Sequence, residues 1–309
     1  MAQSPELPDQ SWQKIGEFAQ PEEVEGYLII EMFKALGLPV GSRWRCWLRP
    51  VLHLIVRGFA QKATLFDESV AQQGFQLTSQ AWLSQWVPGI TIRGRDNLPL
   101  SGPLLIAANH PGTYDGLAIA SNLNRLDLKI VAAGNPFFRS LPNVKRHFIY
   151  STLDPTVRMT VIRKALRHLQ DGGALLIFPS GKLDPDPFYF QPEARSALDR
   201  WSDSLELILK NIPETRLVIA INSQFIAPEF LQNPLLKLYK KHEDRQKIAA
   251  FIQVIQQVIF NRRISCPSRL VFSEPASYCG LFQSPEGFRF QVTTRALSLM
   301  EASASSQVG

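Results

Sequence analysis

The chain has 309 residues, 45% hydrophobic and 19% charged, with a formal charge of +6. Such a composition excludes a disordered or fibrous chain, and the length excludes more than about two ordinary domains. Three scattered cysteines, Cys46, Cys266 and Cys279, exclude a disulfide framework and offer no metal-ligand spacing.

The opening stretch, Met1 to Gln10, is polar and lacks an apolar h-region, so no signal peptide is expected. Residues 1–88 read as an N-terminal helical region. Pro21-Glu22-Glu23 opens one helix with acids in its first turn, running to Gly37. A second starts at Arg43, where Leu48, Val51, Leu52, Ile55, Val56 and Phe59 recur at helical spacing as one stripe. Pro50 falls inside it, either in a first turn or at a kink. A third is predicted over Asp67–Trp86. With Trp44 and Trp47 at its start and Arg49, His53 and Arg57 on one flank, the second helix could lie in a membrane interface, or its stripe could pack as core.

From about Ile90 the pattern changes. Apolar runs at Ile90–Ile92, Leu104–Ala108, Leu128–Ala133, Ala174–Phe178, Leu217–Ile221 and Leu270–Phe272 alternate with helical stretches at Thr156–Leu169, Glu193–Lys210 and Pro234–Phe260. This alternation predicts an α/β domain over 89–283, with a mixed, largely parallel central sheet flanked by helices. Residues 284–309 read as a C-terminal helix and a frayed tail.

The first candidate site follows the run Leu104–Ala108, in Asn109-His110-Pro111-Gly112-Thr113-Tyr114-Asp115. A strand-to-helix turn here lies at the end of an open α/β sheet where ligands gather. His110 is a candidate general base and Asp115 the carboxylate that orients it. The alternative is a structural histidine with Asp115 as a helix cap. A second site is Phe178-Pro179-Ser180-Gly181-Lys182, leading into Asp184-Pro185-Asp186-Pro187. It is not a P-loop: Leu176 stands where the first glycine is needed, and Leu183 follows Lys182. Nor is there a Gly-x-Ser-x-Gly elbow around Ser180. A third group, Arg139, Lys145 and Arg146, offers cations for a phosphate or an acidic carrier protein. Arg163, Lys164, Arg167 and His168 read as the solvated face of a helix.

Asn-His-x4-Asp, a basic segment, Phe-Pro-Ser-Gly and a further apolar strand, in that order over about Ile90–Ala276, resemble the glycerolipid acyltransferase family. The helical region ahead of the α/β domain, and Pro179-Ser180-Gly181 before Asp184-Pro185-Asp186-Pro187, are similar to the soluble glycerol 3-phosphate acyltransferases of plastids. The resemblance implies transfer of an acyl group from acyl-CoA or an acyl-carrier protein to a hydroxyl of a glycerol-phosphate-type or other lipid acceptor. His110 and Asp115 would be catalytic. Asn109, Arg139, Lys145, Arg146, Phe178, Pro179, Ser180, Gly181 and Lys182 would bind substrate, with no cofactor and no metal. Ser180-Gly181-Lys182-Leu183 departs from the Glu-Gly-Thr-Arg of many members. Tyr150-Ser151 leads into Thr152-Leu153-Asp154, where the plastid type has Lys-His. These departures fall where the acceptor phosphate would be held and leave the acceptor open.

Two rival readings stand beside this one: a lipid hydrolase using Ser180, and a non-catalytic lipid- or carrier-binding protein. Scattered basic residues and no recognition motif argue against nucleic acid. With no run near the ~20 apolar residues of a membrane span, the expectation is a cytoplasmic protein, peripheral on the membrane.

Overall fold

In the computed structural model, which describes residues 19–35, 44–151, 155–201, 203–239, 242–265, 267–282 and 287–304, the apolar runs become strands of one seven-stranded sheet. The strands are β1 (Ile90–Arg93), β2 (Leu104–Ala108), β3 (Lys129–Ala133), β4 (Phe148–Ser151), β5 (Ala174–Ile177), β6 (Arg216–Ser223) and β7 (Ser268–Phe272). Their spatial order is β1-β7-β6-β2-β5-β3-β4. Only the β6–β7 pairing is antiparallel; every other neighbour is parallel. The fold is therefore α/β with a mixed, largely parallel sheet, as the alternation predicts.

Strand β2 lies between β5 and β6, and all five of its residues are fully buried. A strand covered on both faces reads as a continuous apolar run rather than an alternating one. Leu104, Ile106 and Ala108 face one helical layer, and Leu105 and Ala107 face the other. The helices are α1 (Pro21–Ala35), α2 (Trp44–Gln73), α3 (Phe75–Trp86), α4 (Asp115–Asn122), α5 (Pro136–Arg139), α6 (Pro155–Gln170), α7 (Gln191–Leu198), α8 (Ser204–Asn211), α9 (Pro228–Leu231), α10 (His242–Phe260), α11 (Tyr278–Phe282) and α12 (Gly287–Ala304). Core residues of α2, α3, α4 and α10 form the first layer, and those of α6, α7, α8 and α12 the second. Each fully buried Leu, Ile or Phe contributes about 1.5–3 kcal/mol.

The N-terminal region is helical, and its stripe is used as core. Met32 and Phe33 of α1 pack with Leu52 and Val56 of α2, and His53 pairs with Glu25 at 2.7 Å. Further along α2, Ala60, Ala63 and Val70 join the core of the sheet's first face. Pro50 lies inside α2. The side chains of Trp44 and Trp47, residues 1–18 and the tail 305–309 lie outside the described residues. Among the described residues no helix is long and apolar enough to cross a membrane.

Some expected boundaries move. A helix does not start at Asp67: α2 runs on to Gln73, and the break comes at Gly74, whose φ of 85° is a conformation that side chains disfavour. The stretch Glu193–Lys210 is two helices, α7 and α8, with the buried Trp201 between them. Pro234–Leu238 is a 3-10 turn separate from α10. Phe148–Ser151, not read as a strand, pairs with β3 at the sheet edge.

Candidate active site

Strand β2 ends at Ala108, and the chain turns through Asn109–Tyr114 into α4. His110 therefore stands at the C-terminal edge of the central strands. Its Nδ1 lies 2.9 Å from Asp115 Oδ2, and its side chain keeps 31% exposure while Asp115 has none. The Gly112 N–H donates to the same carboxylate oxygen at 2.8 Å. Phe178, just past β5, stacks on the imidazole with ring centroids 4.4 Å apart and planes at 25°. Two contacts thus set the ring plane: a carboxylate at one nitrogen and an aromatic face. Nε2 is left on the open side.

Asp115 is the first residue of α4, not its cap, and no side chain caps that helix. Burial pushes its carboxyl up, and hydrogen bonds from His110 and Gly112 work against that push. The helix dipole adds to the stabilisation of negative charge there. Asp115 Oδ1 has no hydrogen-bond partner among the described residues.

The backbone of His110 is clamped as firmly as its ring. The Asp184 N–H donates to the His110 carbonyl at 2.8 Å, and the His110 N–H donates to Asp184 Oδ2 at 3.0 Å. Asn109 is buried, and its amide exchanges hydrogen bonds with the backbone of Asn222 at the end of β6. Its side chain braces the turn and does not face the open side. Asp186 accepts from the Phe188 and Gln224 N–H groups at 2.9 and 2.8 Å. It is fully buried, and that burial, with a smaller contribution from the Asp115 charge, raises its pKa to about 7.

Helix α10 supplies the last braces. Gln246 Nε2 donates to the carbonyls of Pro111 and Asp184 at 2.8 and 2.6 Å, and its oxygen accepts from the Asp186 N–H at 3.3 Å. Gln253 bonds Phe225 O and Ala227 N, and Gln257 accepts from the Tyr114 hydroxyl. All three glutamines are buried. Sequence reading missed Gln246, Asn222 and the structural use of Asp184 and Asp186. Polar residues recurring at 246, 253 and 257 along an otherwise apolar helix face were the available signal.

The Phe178–Gly181 segment forms a tight turn. The Gly181 N–H donates to Phe178 O at 3.0 Å, and Gly181 has a φ of 64°. That N–H is therefore occupied and does not point at a reacting oxygen. Pro179 is buried, while Gly181 and Lys182 are exposed. The Ser180 hydroxyl donates to Lys182 O at 3.0 Å and accepts from its N–H at 3.3 Å. Among the described residues it makes no hydrogen bond to the His110 ring. So His110, Asp115, Phe178 and the Ser180 turn come together at the ends of β2 and β5. Arg139, Lys145 and Arg146 are exposed around β3 and β4, away from that turn.

Residues 89–219, which include every residue singled out above from Asn109 to Lys182, match the model of a protein family described as "Acyltransferase". Residues 89–219 thus match an acyltransferase domain. Its fold is similar to the crystal structure of the 1-acyl-sn-glycerophosphate (LPA) acyltransferase PlsC from Thermotoga maritima, at 15% identity, with a TM-score of 0.43, over 94% of this chain and 98% of that one. No curated protein matches the chain. Within residues 89–219, the His110 turn holds a histidine paired with a buried carboxylate at Nδ1 and partly exposed.

Proposed function

We propose that the protein transfers a fatty acyl group from a thioester donor to a hydroxyl of a glycerol-phosphate-type or other lipid acceptor, with His110 as general base. The observation that carries this reading is the His110 Nδ1–Asp115 Oδ2 contact of 2.9 Å beneath an open Nε2. Asp115 holds the ring as the tautomer with its proton on Nδ1, so Nε2 has a free lone pair. The acceptor's O–H proton passes to Nε2 as its oxygen attacks the thioester carbonyl carbon. The C–S bond then breaks, and the leaving thiolate takes the proton from the imidazolium. His110 ends as it began, and no acyl-enzyme forms. Asp115 stabilises the imidazolium between the two proton transfers.

His110→Ala tests the assignment directly. Acyl transfer to lysophosphatidate and glycerol 3-phosphate is expected to fall about 10²–10⁴-fold, the usual contribution of a positioned base. Equal rates for wild type and variant on every acceptor would remove His110 from the chemistry. Ser180→Ala is expected to retain most activity, because its hydroxyl closes its own turn. A Ser180 variant as inactive as His110→Ala would favour a hydrolase instead.

In this reading the protein works at a membrane surface from the cytoplasm, with no cofactor beyond its acyl donor, and the chain's positive charge supports attraction to an anionic lipid surface.

A further inference from the structure

At the edge of the sheet furthest from β1, a cavity of about 480 Å³ opens on β4. Arg139, Lys145 and Lys164 line it, together with Tyr150 and Thr160. No carboxylate is among the lining residues, and none of the three cations has an ion-pair partner among the described residues. The Tyr150 hydroxyl is buried and has no hydrogen-bond partner among the described residues. Three unneutralised cations and a spare donor around one cavity ask for a ligand with several negative charges.

The cations are also held in place. The Arg139 guanidinium lies over the Tyr150 ring, 5.0 Å from its centroid. It fills the space above Gly134, where a Cβ would come within 3.0 Å of its Nη2. Lys145 is presented by a turn that α2 fixes from below. The buried Asp67 carboxylate accepts from the Asn143 and Val144 N–H groups and from the Asn143 amide, at 2.8–2.9 Å.

The strand order decides which substrate this site suits. From β2, which carries His110, to β4 is three steps, through β5 and β3. At ~4.8 Å per step, β4 lies ~14 Å across the sheet from β2, so the cavity on it is at least that far from the His110 turn. In a glycerol phosphate the attacking hydroxyl is only about five bonds from phosphorus, or ~6 Å at the reach of an extended chain. A pantetheine arm puts about thirteen bonds between thioester sulfur and phosphate, close to four extended residues, or ~15 Å. We infer that the β4 cavity binds the phosphate groups of a coenzyme A-type nucleotide, and so anchors the acyl donor while its thioester reaches His110. This rests on the acyl-transfer reading above. It assigns Arg139, Lys145 and Lys164 to the donor, and leaves Arg146 and Lys182 outside the site.

The test is calorimetric titration of free coenzyme A, 3′-dephosphocoenzyme A, pantetheine and glycerol 3-phosphate into wild type and a Lys145→Ala/Lys164→Ala variant. Both lysines are exposed, and a matching melting temperature will show that the variant folds. Coenzyme A binding is expected to weaken about tenfold or more, the factor of one lost charge-assisted bond. Pantetheine binding is expected not to move. In steady state the KM for acyl-CoA should rise with it, while the KM for the lipid acceptor stays put. A rise in acceptor KM, weakened glycerol 3-phosphate binding, or unchanged coenzyme A binding would each overturn the proposal. So would a defect seen with acyl-carrier protein and not with acyl-CoA. His110→Ala is expected to bind coenzyme A like wild type. Should His110 prove dispensable for transfer, the catalytic reading fails while the titration still judges the cavity.

Discussion

Around His110, the side chains of Asn109, Asp115, Asp184, Asn222 and Gln246 bond one another or the backbone, while around the β4 cavity three cations face no carboxylate among the described residues. The first region is cross-braced by these hydrogen bonds, though Asp115 Oδ1, Asp184 Oδ1 and Asn222 Oδ1 have no hydrogen-bond partner among the described residues. In the second, Arg139, Lys145 and Lys164 have no ion-pair partner among the described residues. A catalytic group gains from being fixed before substrate arrives, since geometry need not be reorganised during reaction. A binding group gains from the reverse, because charge left unpaired in the free protein is charge available to the ligand. The two regions lie three strands apart in the sheet, and their side chains suit these opposite demands.

Substitutions can break the contrast, and the largest effect is expected at Asp115. Asp115→Asn loses the charge that faces the imidazolium and disturbs the tautomer of His110. A fall in kcat of about 10²–10⁴-fold is expected, with coenzyme A titration unchanged. If both fall together, the two regions are not separable.

Gln246→Ala should come next. It strips partners from Pro111 O, Asp184 O and Asp186 N in a buried setting. At about 1–3 kcal/mol for each of the three groups left unsatisfied, a stability loss of at least about 3 kcal/mol is expected in urea denaturation. Loss of kcat without loss of donor binding would place the damage on the closed region alone.

The smallest effect is a dependence on pH. Burial raises Asp186 from 3.8 to about 7. The folded state thus holds this proton more tightly than the unfolded chain. Its contribution is complete below about pH 4 and is lost as pH rises through about 7. The melting temperature of wild type should drop by a few degrees as pH rises from about 4 to about 7 and level off above that, and Asp186→Asn should flatten the drop. An identical slope in the variant would assign the titration elsewhere.

The parts of this picture that sequence alone makes visible are those carried by local pattern. Leu104–Ala108 and Ala174–Ile177 are uninterrupted apolar runs because both faces are covered, and the strand-to-helix turn at His110 follows from that. Strand β4 escapes such reading because it lies at the edge, half-buried, behind Lys145-Arg146-His147. The split between α7 and α8 has no glycine or proline at the break. Asp67 looks like a helix start, yet it is a buried carboxylate that caps a turn 76 residues on. Gln246 reaches Pro111 across 135 residues. No local periodicity encodes such partners; only the assembled layers bring them together.

That last distance has a consequence for how the protein is made. The turn at 110–114, the loop at 184–186 and the segment at 225–227 all emerge from the ribosome before α10, and all are pinned by its glutamines. Strand β7, which joins β1 to the rest of the sheet, comes later still. Contacts so far apart in the chain form late, after their loop-closure entropy has been met. The nascent chain can hold a partial sheet early, but the turn at 110–114 gains its hydrogen bonds to α10 only when residue 257 is out. Any fragment ending before α10 carries His110 and Asp115 without the hydrogen bonds that α10 gives their turn.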